Sequence, residues 1–417
     1  LSSVLIDGLV ISDGFANSAT SESLPTITVD GASNASGAGI WSSSALTITN
    51  SVITNNKSNG SGGGIYMNPY GGALSCRQVV FTQNEVSTGG GLYYYTSAAL
   101  ELLNCTFFNN KGSFSGGAFS RLFFGGTPNP LPALTITNCI FNSNLGGNPI
   151  SSTQTPNATY SNIQTQSTAI TGTGVNNANP LFINVASPKG ADSLWMTDDD
   201  GLQINGCDVI DKGSNTAVAA IPTDILNFTR KFDVNAITDG GEGTGAKADM
   251  GAYERNLTFA GPGKINVGSL TIPSPPEETD TIRSIIDPGA FPNAVFSWQK
   301  DENLGLGWQP IALDSFTLYF PLDSLKRSTK FRRVTTICGN SFYSDTVSIK
   351  VIKPDGGFSG QVLSKNGFPV KGIEIQVKKK NSLPGSPADF MYRDTTGDDG
   401  RYSIGPVYYG DPDASPS

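Results

Sequence analysis

The 417-residue chain contains no histidine. That absence removes His-based triads, His general bases and His metal ligands in one step. No stretch approaches 18 consecutive apolar residues, so no membrane-spanning helix is expected. Basic residues are nowhere concentrated, and with a net charge of −8 neither nucleic acid nor an anionic membrane surface is an expected partner. The five cysteines (Cys76, Cys105, Cys139, Cys207 and Cys338) form no CxxC pair, so zinc-type spacing is missing. The chain also opens directly into the strand-like SSVLIDGLVISDG with no signal-peptide pattern before it, and is therefore expected to begin inside a longer protein.

What is present is a repeat. LTITNSVITNN from Leu46, LSCRQVVFTQN from Leu74, LELLNCTFFNN from Leu100 and LTITNCIFNSN from Leu134 agree column by column: apolar, any, apolar, any, amide, small, any, apolar. Between them stand SGGGIYM at Ser61, TGGGLYY at Thr88 and SGGAFSR at Ser115, 27 positions apart. A period in the twenties with alternating apolar positions predicts short strands stacked as coils, because one turn alone cannot bury its inward face. Stacked coils lie about 4.8 Å apart, so each column becomes a ladder.

Leu46, Leu74, Leu100 and Leu134 are expected to form one inward ladder, with Ile48, Cys76, Leu102 and Ile136 as a second and Ile53, Phe81, Phe107 and Phe141 as a third. The amides Asn50, Gln78, Asn104 and Asn138 fall where the chain turns a corner, and they are expected to hydrogen-bond from coil to coil. The glycine triplets are expected at turns of positive φ. Cys105 and Cys139 share a column, where parallel Cβ directions favour buried, reduced stacking over a disulfide.

These coils, with NCIF and GGG turns, resemble secreted bacterial right-handed parallel β-helix proteins of a type found in Bacteroidetes. The resemblance continues through NPLFIN at Asn179, GADSLWMTDDDGLQI at Gly190, DVIDKGSNTAV at Asp208, TDILNFTRKF at Thr223 and DMGAYE at Asp249, which are similar to that family's closing section. It covers roughly residues 1–255. Asp211, Asp224, Arg230, Asp249 and Glu254 are its family-like charged positions, read as an internal ion-pair and turn-capping network. A linker at 256–267 follows.

From 268 to 353, seven short alternating runs (SLTI, TIRSII, AVFSWQ, GWQPIAL, TLYFPL, KFRRVTTI and DTVSIKVI) predict an antiparallel sandwich with Trp298 as its core aromatic. They are similar to immunoglobulin-like modules of large surface proteins. From 355 to 417, GFSGQVLSKNGFPVKGIEIQVKKK and DTTGDDGRYSI resemble a carboxypeptidase-regulatory-like, prealbumin-type sandwich, expected to be incomplete here. The expected fold class is therefore all-β: a right-handed parallel β-helix followed by two small β-sandwich domains.

The parallel β-helix also hosts polysaccharide lyases and glycosidases, so the fold alone does not exclude catalysis. Through residue 188 the bases are Lys57, Arg77, Lys111 and Arg121, and the acids Asp7, Asp13, Glu22, Asp30, Glu85 and Glu101. Glu85 and Glu101 are the nearest approach to a carboxylate pair, yet they occupy different columns. The acidic turn Asp198, Asp199, Asp200 and Gly201 offers oxygen ligands for Ca²⁺, with a bare solvated turn as the competing reading. No other cofactor is expected, and no catalytic residue is assigned.

Two functions stay open: a structural or adhesive segment of a secreted cell-surface protein, or a carbohydrate-active enzyme. A third reading is glycan binding without turnover on Tyr93, Tyr94 and Tyr95, of which strand alternation leaves only part available. Extracellular glycans, surface or matrix proteins and self-association into filaments are the expected kinds of partner.

Overall fold

The computed structural model describes residues 3–16, 27–29, 36–123, 132–267, 271–273, 282–286, 291, 293–311, 325, 327–352, 356–378 and 391–407. The TLYFPL run and Lys379 and Lys380 lie outside them. The described residues are all-β, with most strands in parallel sheets. Among them no helix is long and apolar enough to cross a membrane. The chain divides into two units, Leu1–Thr258 and Phe259–Ser417.

In the first unit the chain visits three parallel sheets in rotation. Leu46–Thr54, Leu74–Thr82, Leu100–Leu103 with Thr106–Phe108, and Leu134–Thr137 with Ile140–Asn142 pair in the first sheet. Lys57–Ser58, Glu85–Thr88 and Lys111–Ser115 pair in the second. Ile65–Met67, Leu92–Tyr95 and Phe119–Leu122 pair in the third. Each circuit thus lays one strand on its predecessor in every sheet.

The register follows the sequence columns. Leu74 is opposite Leu46 and Leu100, and Phe81 is opposite Ile53 and Phe107. Phe81, Phe107 and Phe141 are fully buried and stack face to face, with centroids 4.4 and 4.7 Å apart. Each such side chain contributes about 1.5–3 kcal/mol of burial, but only when a neighbouring circuit covers it.

Two corners per circuit are left-handed. The first is made by Asn50, Gln78, Asn104 and Asn138, with φ of 47, 55, 49 and 53°. The second is made by Asn55, Gln83, Asn109 and Ser143, with φ of 53 to 57°. Asparagine tolerates this region better than other residues with a Cβ, which explains the amides there. Within each glycine triplet only the first residue has positive φ: Gly62 at 68°, Gly89 at 74° and Gly116 at 65°. The second is glycine for a different reason. A Cβ on Gly90 would stand 2.4 Å from the Gly117 carbonyl oxygen of the next circuit.

Residues 164–258 contain few ladders and many turns. One part closes an edge: Asn176 donates its backbone N–H to Ser161 O and accepts from Ile163 N on the last circuit. The rest lies along the outer face of the first sheet, where Trp195, Leu202, Ile225, Ala252 and Tyr253 pack on the outward-facing Val52, Val80 and Phe108. This section therefore covers the flank of the stack as well as an edge.

In the second unit, Val295–Asp301 pairs antiparallel with Gln309–Ile311 and with Thr329–Ile337, which also pairs with Asn340–Tyr343 and Val347–Ile352. Trp298 is fully buried, among Ile265, Ile282, Phe331, Val347 and Ile349. Beyond it Gly356–Gln361 pairs with Arg401–Val407, and Glu374–Lys378 with Met391–Thr395.

Candidate functional site

The first-corner amides do not make one continuous ladder. Gln78 Nε2 donates to Asn50 Oδ1, and Asn138 Nδ2 donates to Asn104 Oδ1 at 3.3 Å, giving two pairs. The second pair is taken over by the closing section: Asn104 Nδ2 donates to the carbonyls of Asp249 and Gly251 at 3.1 and 3.2 Å. Asn138 Nδ2 donates to Ser214 O, and Asn138 Oδ1 accepts from Ser214 N at 2.7 Å. These amides are docking points as well as corners.

A second polar ladder carries the continuity. Asn56, Asn84 and Asn110 are fully buried and Asn144 nearly so. Their side chains donate in series, Asn56 to Asn84 at 2.9 Å, Asn84 to Asn110 at 2.9 Å and Asn110 to Asn144 at 3.0 Å. Each also donates to a backbone carbonyl, that of Ile11, Ile53, Phe81 or Phe107. Their signal is the shared last letter of the four aligned copies, a polar column that reading by apolar period passes over.

The closing section is fixed by buried charge. Arg230 is fully buried and donates to the carbonyls of Ala252, Asp249 and Gly251 at 3.1, 2.9 and 2.7 Å. Its Nε lies 3.6 Å from Glu254 Oε2. Glu254 accepts from Phe232 N and Asp249 N, Asp249 from Asp211 N and Arg255 N, and Asp224 from Leu226, Phe228 and Glu254 N–H groups. Burial pushes Glu254 and Asp224 up despite these donors, and Asp249 up to about 7. Gly251, at φ 88°, lets the DMGAYE turn meet the sheet, since a Cβ there would be 2.8 Å from Thr106 Oγ1 and from Ile140 Cδ1. Ala252 N donates to Thr106 Oγ1 at 3.0 Å.

No family model matches this chain, and no solved structure does.

Glu85 lies in the second sheet, between Lys57 at 3.3 Å and Lys111 at 2.9 Å, and those partners hold its carboxyl below the usual range. Glu101 lies in the first sheet and pairs with Arg77 at 3.0 Å. The two carboxylates belong to separate ion pairs. Arg121 is buried, donating to Gln154 Oε1 and Ala98 O with Tyr94 and Phe123 rings beside it.

In the tyrosine run, Tyr94 points inward, fully buried, with its hydroxyl on Ala99 O at 2.6 Å. Tyr93 faces the other way and stacks on Tyr66 at 5.5 Å, which stacks on Trp41 at 6.5 Å. Burial pushes Tyr93 up to about 12.

The run Asp198, Asp199 and Asp200 does not converge on one point. Asp199 Oδ2 accepts from Ala191 N and Asp192 N, and its Oδ1 from Thr197 Oγ1. Asp200 turns inward, where Oδ2 accepts from Met196 N at 3.0 Å and Tyr253 Oη at 2.8 Å. Burial pushes Asp200 up to about 6. Asp199 and Asp200 are turn-capping carboxylates, because neighbouring residues in a tight turn project in different directions. Three acidic side chains that do converge among the described residues are Asp211, Asp233 and Asp239.

Cys76, Cys105 and Cys139 are free and buried, with Cys105 N donating to Cys139 Sγ at 3.4 Å. Burial pushes the Cys76 and Cys139 thiols up, away from reactive thiolate.

Proposed function

We propose that residues 1–255 are a right-handed parallel β-helix with a closing section, and that the chain is a non-catalytic structural or adhesive segment of a large secreted cell-surface protein. In this reading residues 268–353 and 355–417 are immunoglobulin-like and carboxypeptidase-regulatory-like modules in series with it. The observation that carries the proposal is the state of Glu85 and Glu101. Glu85 is paired with Lys57 and Lys111 in the second sheet and Glu101 with Arg77 in the first, so neither is paired with a second carboxyl as glycoside hydrolysis needs. The partners that suit such a rod are extracellular glycans, matrix or surface proteins, or further copies in a filament.

The test is exposure of the purified chain to a panel of acidic and neutral polysaccharides. No release of reducing ends or unsaturated products is expected. Cleavage that disappears in the Glu85→Gln/Glu101→Gln double variant would instead make the chain a polysaccharide lyase or glycosidase.

Glycan binding without turnover has one observation in its favour, the aromatic column Trp41, Tyr66, Tyr93. Tyr66 is stacked between the other two rings, however, and Trp41 and Tyr93 are buried, whereas stacking on a sugar needs a free face. Binding through this column is therefore expected to be weak.

A further inference from the structure

Asp211 is fully buried. Its Oδ2 accepts from Val234 N at 3.2 Å, while its Oδ1 has no hydrogen-bond partner among the described residues. An unsatisfied buried carboxylate oxygen is costly and calls for a partner. Two further acidic side chains converge on Asp211: Asp211, Asp233 and Asp239 each offer an oxygen within 4.8 Å of the others, the last two from the surface.

The arrangement is held by the backbone. Gly240 N and Gly241 N both donate to Asp211 O, at 2.9 and 3.1 Å, and Ile237 N donates to Val234 O at 2.8 Å. Val234, Ala236 and Ile237 are buried, so the loop between the two surface aspartates is anchored from inside. Among the described residues one ammonium stands within 4 Å of any of the three carboxylates, Lys247 Nζ at 3.7 Å from Asp239 Oδ2. That ammonium is already committed to the carbonyls of Gly243 and Gly245 at 2.9 and 2.8 Å. Lys212 Nζ is directed to Thr238 O.

An all-oxygen donor set with no thiolate or imidazole suits a hard cation. Calcium takes oxygens at about 2.3–2.6 Å in an adaptable shell, so oxygens on opposite sides of one ion are up to about 5 Å apart. Three oxygens within 4.8 Å of one another can therefore share it. Magnesium demands a tighter octahedron at about 2.0–2.1 Å.

We propose that Asp211, Asp233 and Asp239 bind one Ca²⁺ ion that ties the surface loop 233–239 to the buried turn at Asp211. Asp211 supplies the oxygen that nothing else satisfies, and the two surface aspartates supply the exposed side of the shell. Water and backbone carbonyls complete it.

The test is calorimetric titration of CaCl2 into the full chain after chelator treatment, with thermal unfolding followed in parallel. One ion per chain and a higher Tm with Ca²⁺ are expected. Because Asp211→Asn risks the fold, the deciding variant is Asp233→Asn/Asp239→Asn on the surface, expected to keep the wild-type circular dichroism and weaken Ca²⁺ binding at least tenfold. The proposal is overturned if millimolar Ca²⁺ gives neither heat nor a Tm shift. It is equally overturned if binding survives in that variant and is lost in Asp198→Asn/Asp199→Asn.

Discussion

Asn84 and Asn110 stand one circuit apart in the core, with Asn84 Nδ2 donating to Asn110 Oδ1 at 2.9 Å and Asn84 N donating to the same oxygen at 3.2 Å. Asn84 also bonds Ile53 O and accepts from Asn56. A buried amide is tolerated there because nearly all its capacity is used, and each of these bonds is made with an adjacent circuit.

Removing that side chain leaves several buried groups unpaired at once. Asn84→Ala is expected to destabilise the first unit by about 3 kcal/mol or more, given about 1–3 kcal/mol for each orphaned buried group. The check is the midpoint of chemical denaturation, and a change under about 0.5 kcal/mol, the scale of an ordinary surface substitution, would contradict the ladder.

Glycine at the second triplet position answers to crowding rather than to φ. Gly90→Ala would put a Cβ 2.4 Å from Gly117 O and 2.8 Å from Lys111 N, both backbone atoms. Gly245→Ala is the matched control, with φ of 74° and nothing within 4 Å. The control is expected to lose about 1–2 kcal/mol from the left-handed backbone alone, and Gly90→Ala clearly more. Equal losses in thermal unfolding would remove the argument from close stacking.

Arg230 is the clamp on the DMGAYE turn. Arg230→Met removes three donors to carbonyls and leaves Glu254 buried beside an apolar chain. Breaking a buried pair from one side costs about 3–5 kcal/mol, and here the loss is expected to be local. Hydrogen exchange should show residues 249–254 losing protection while Leu74–Thr82 keeps its own. Uniform loss across both segments would mean that the closing section and the sheets unfold as one body.

The pH dependence has a definite sign at Asp200. Its folded value of about 6 exceeds the ordinary 3.8, chiefly through burial. The folded state therefore holds this proton more tightly than the unfolded chain, so its contribution is complete below 3.8 and is lost as the pH rises through 6. Asp200→Asn keeps an acceptor for Tyr253 without the charge. The difference in Tm between variant and wild type should grow between these two pH values and level off above them. A difference independent of pH would rule out this titration.

The inward aliphatic and aromatic columns and the left-handed amide corners are legible in the sequence because each is set by one period and by local φ preference. Asn56, Asn84, Asn110 and Asn144 are not, since a polar residue reads as surface until the adjacent circuits are seen to satisfy it. The same holds for Val52, Val80 and Phe108: their outward parity marks them as exposed, and only the closing section, held to the sheet by Asn104, Asn138 and Thr106, buries them. Asp211 and Asp239 are 28 positions apart, and what joins them is backbone bonding from Gly240 and Gly241. No spacing rule reports that.

The most direct test of the stacked circuits is one distance. Leu5, Thr47, Ser75, Glu101, Thr135 and Asn157 stand in a single column, each opposite the next, and both end residues are exposed. Five steps of about 4.8 Å place the ends roughly 24 Å apart. Spin labels at Leu5→Cys and Asn157→Cys should give one narrow distribution by pulsed electron resonance, peaking within about 5 Å of that value once linker length is allowed for. The chain without added cysteines, whose three free thiols are buried, is the labelling control. A broad distribution, or a peak beyond about twice that separation, would contradict the one-strand-per-circuit stack on which the functional reading depends.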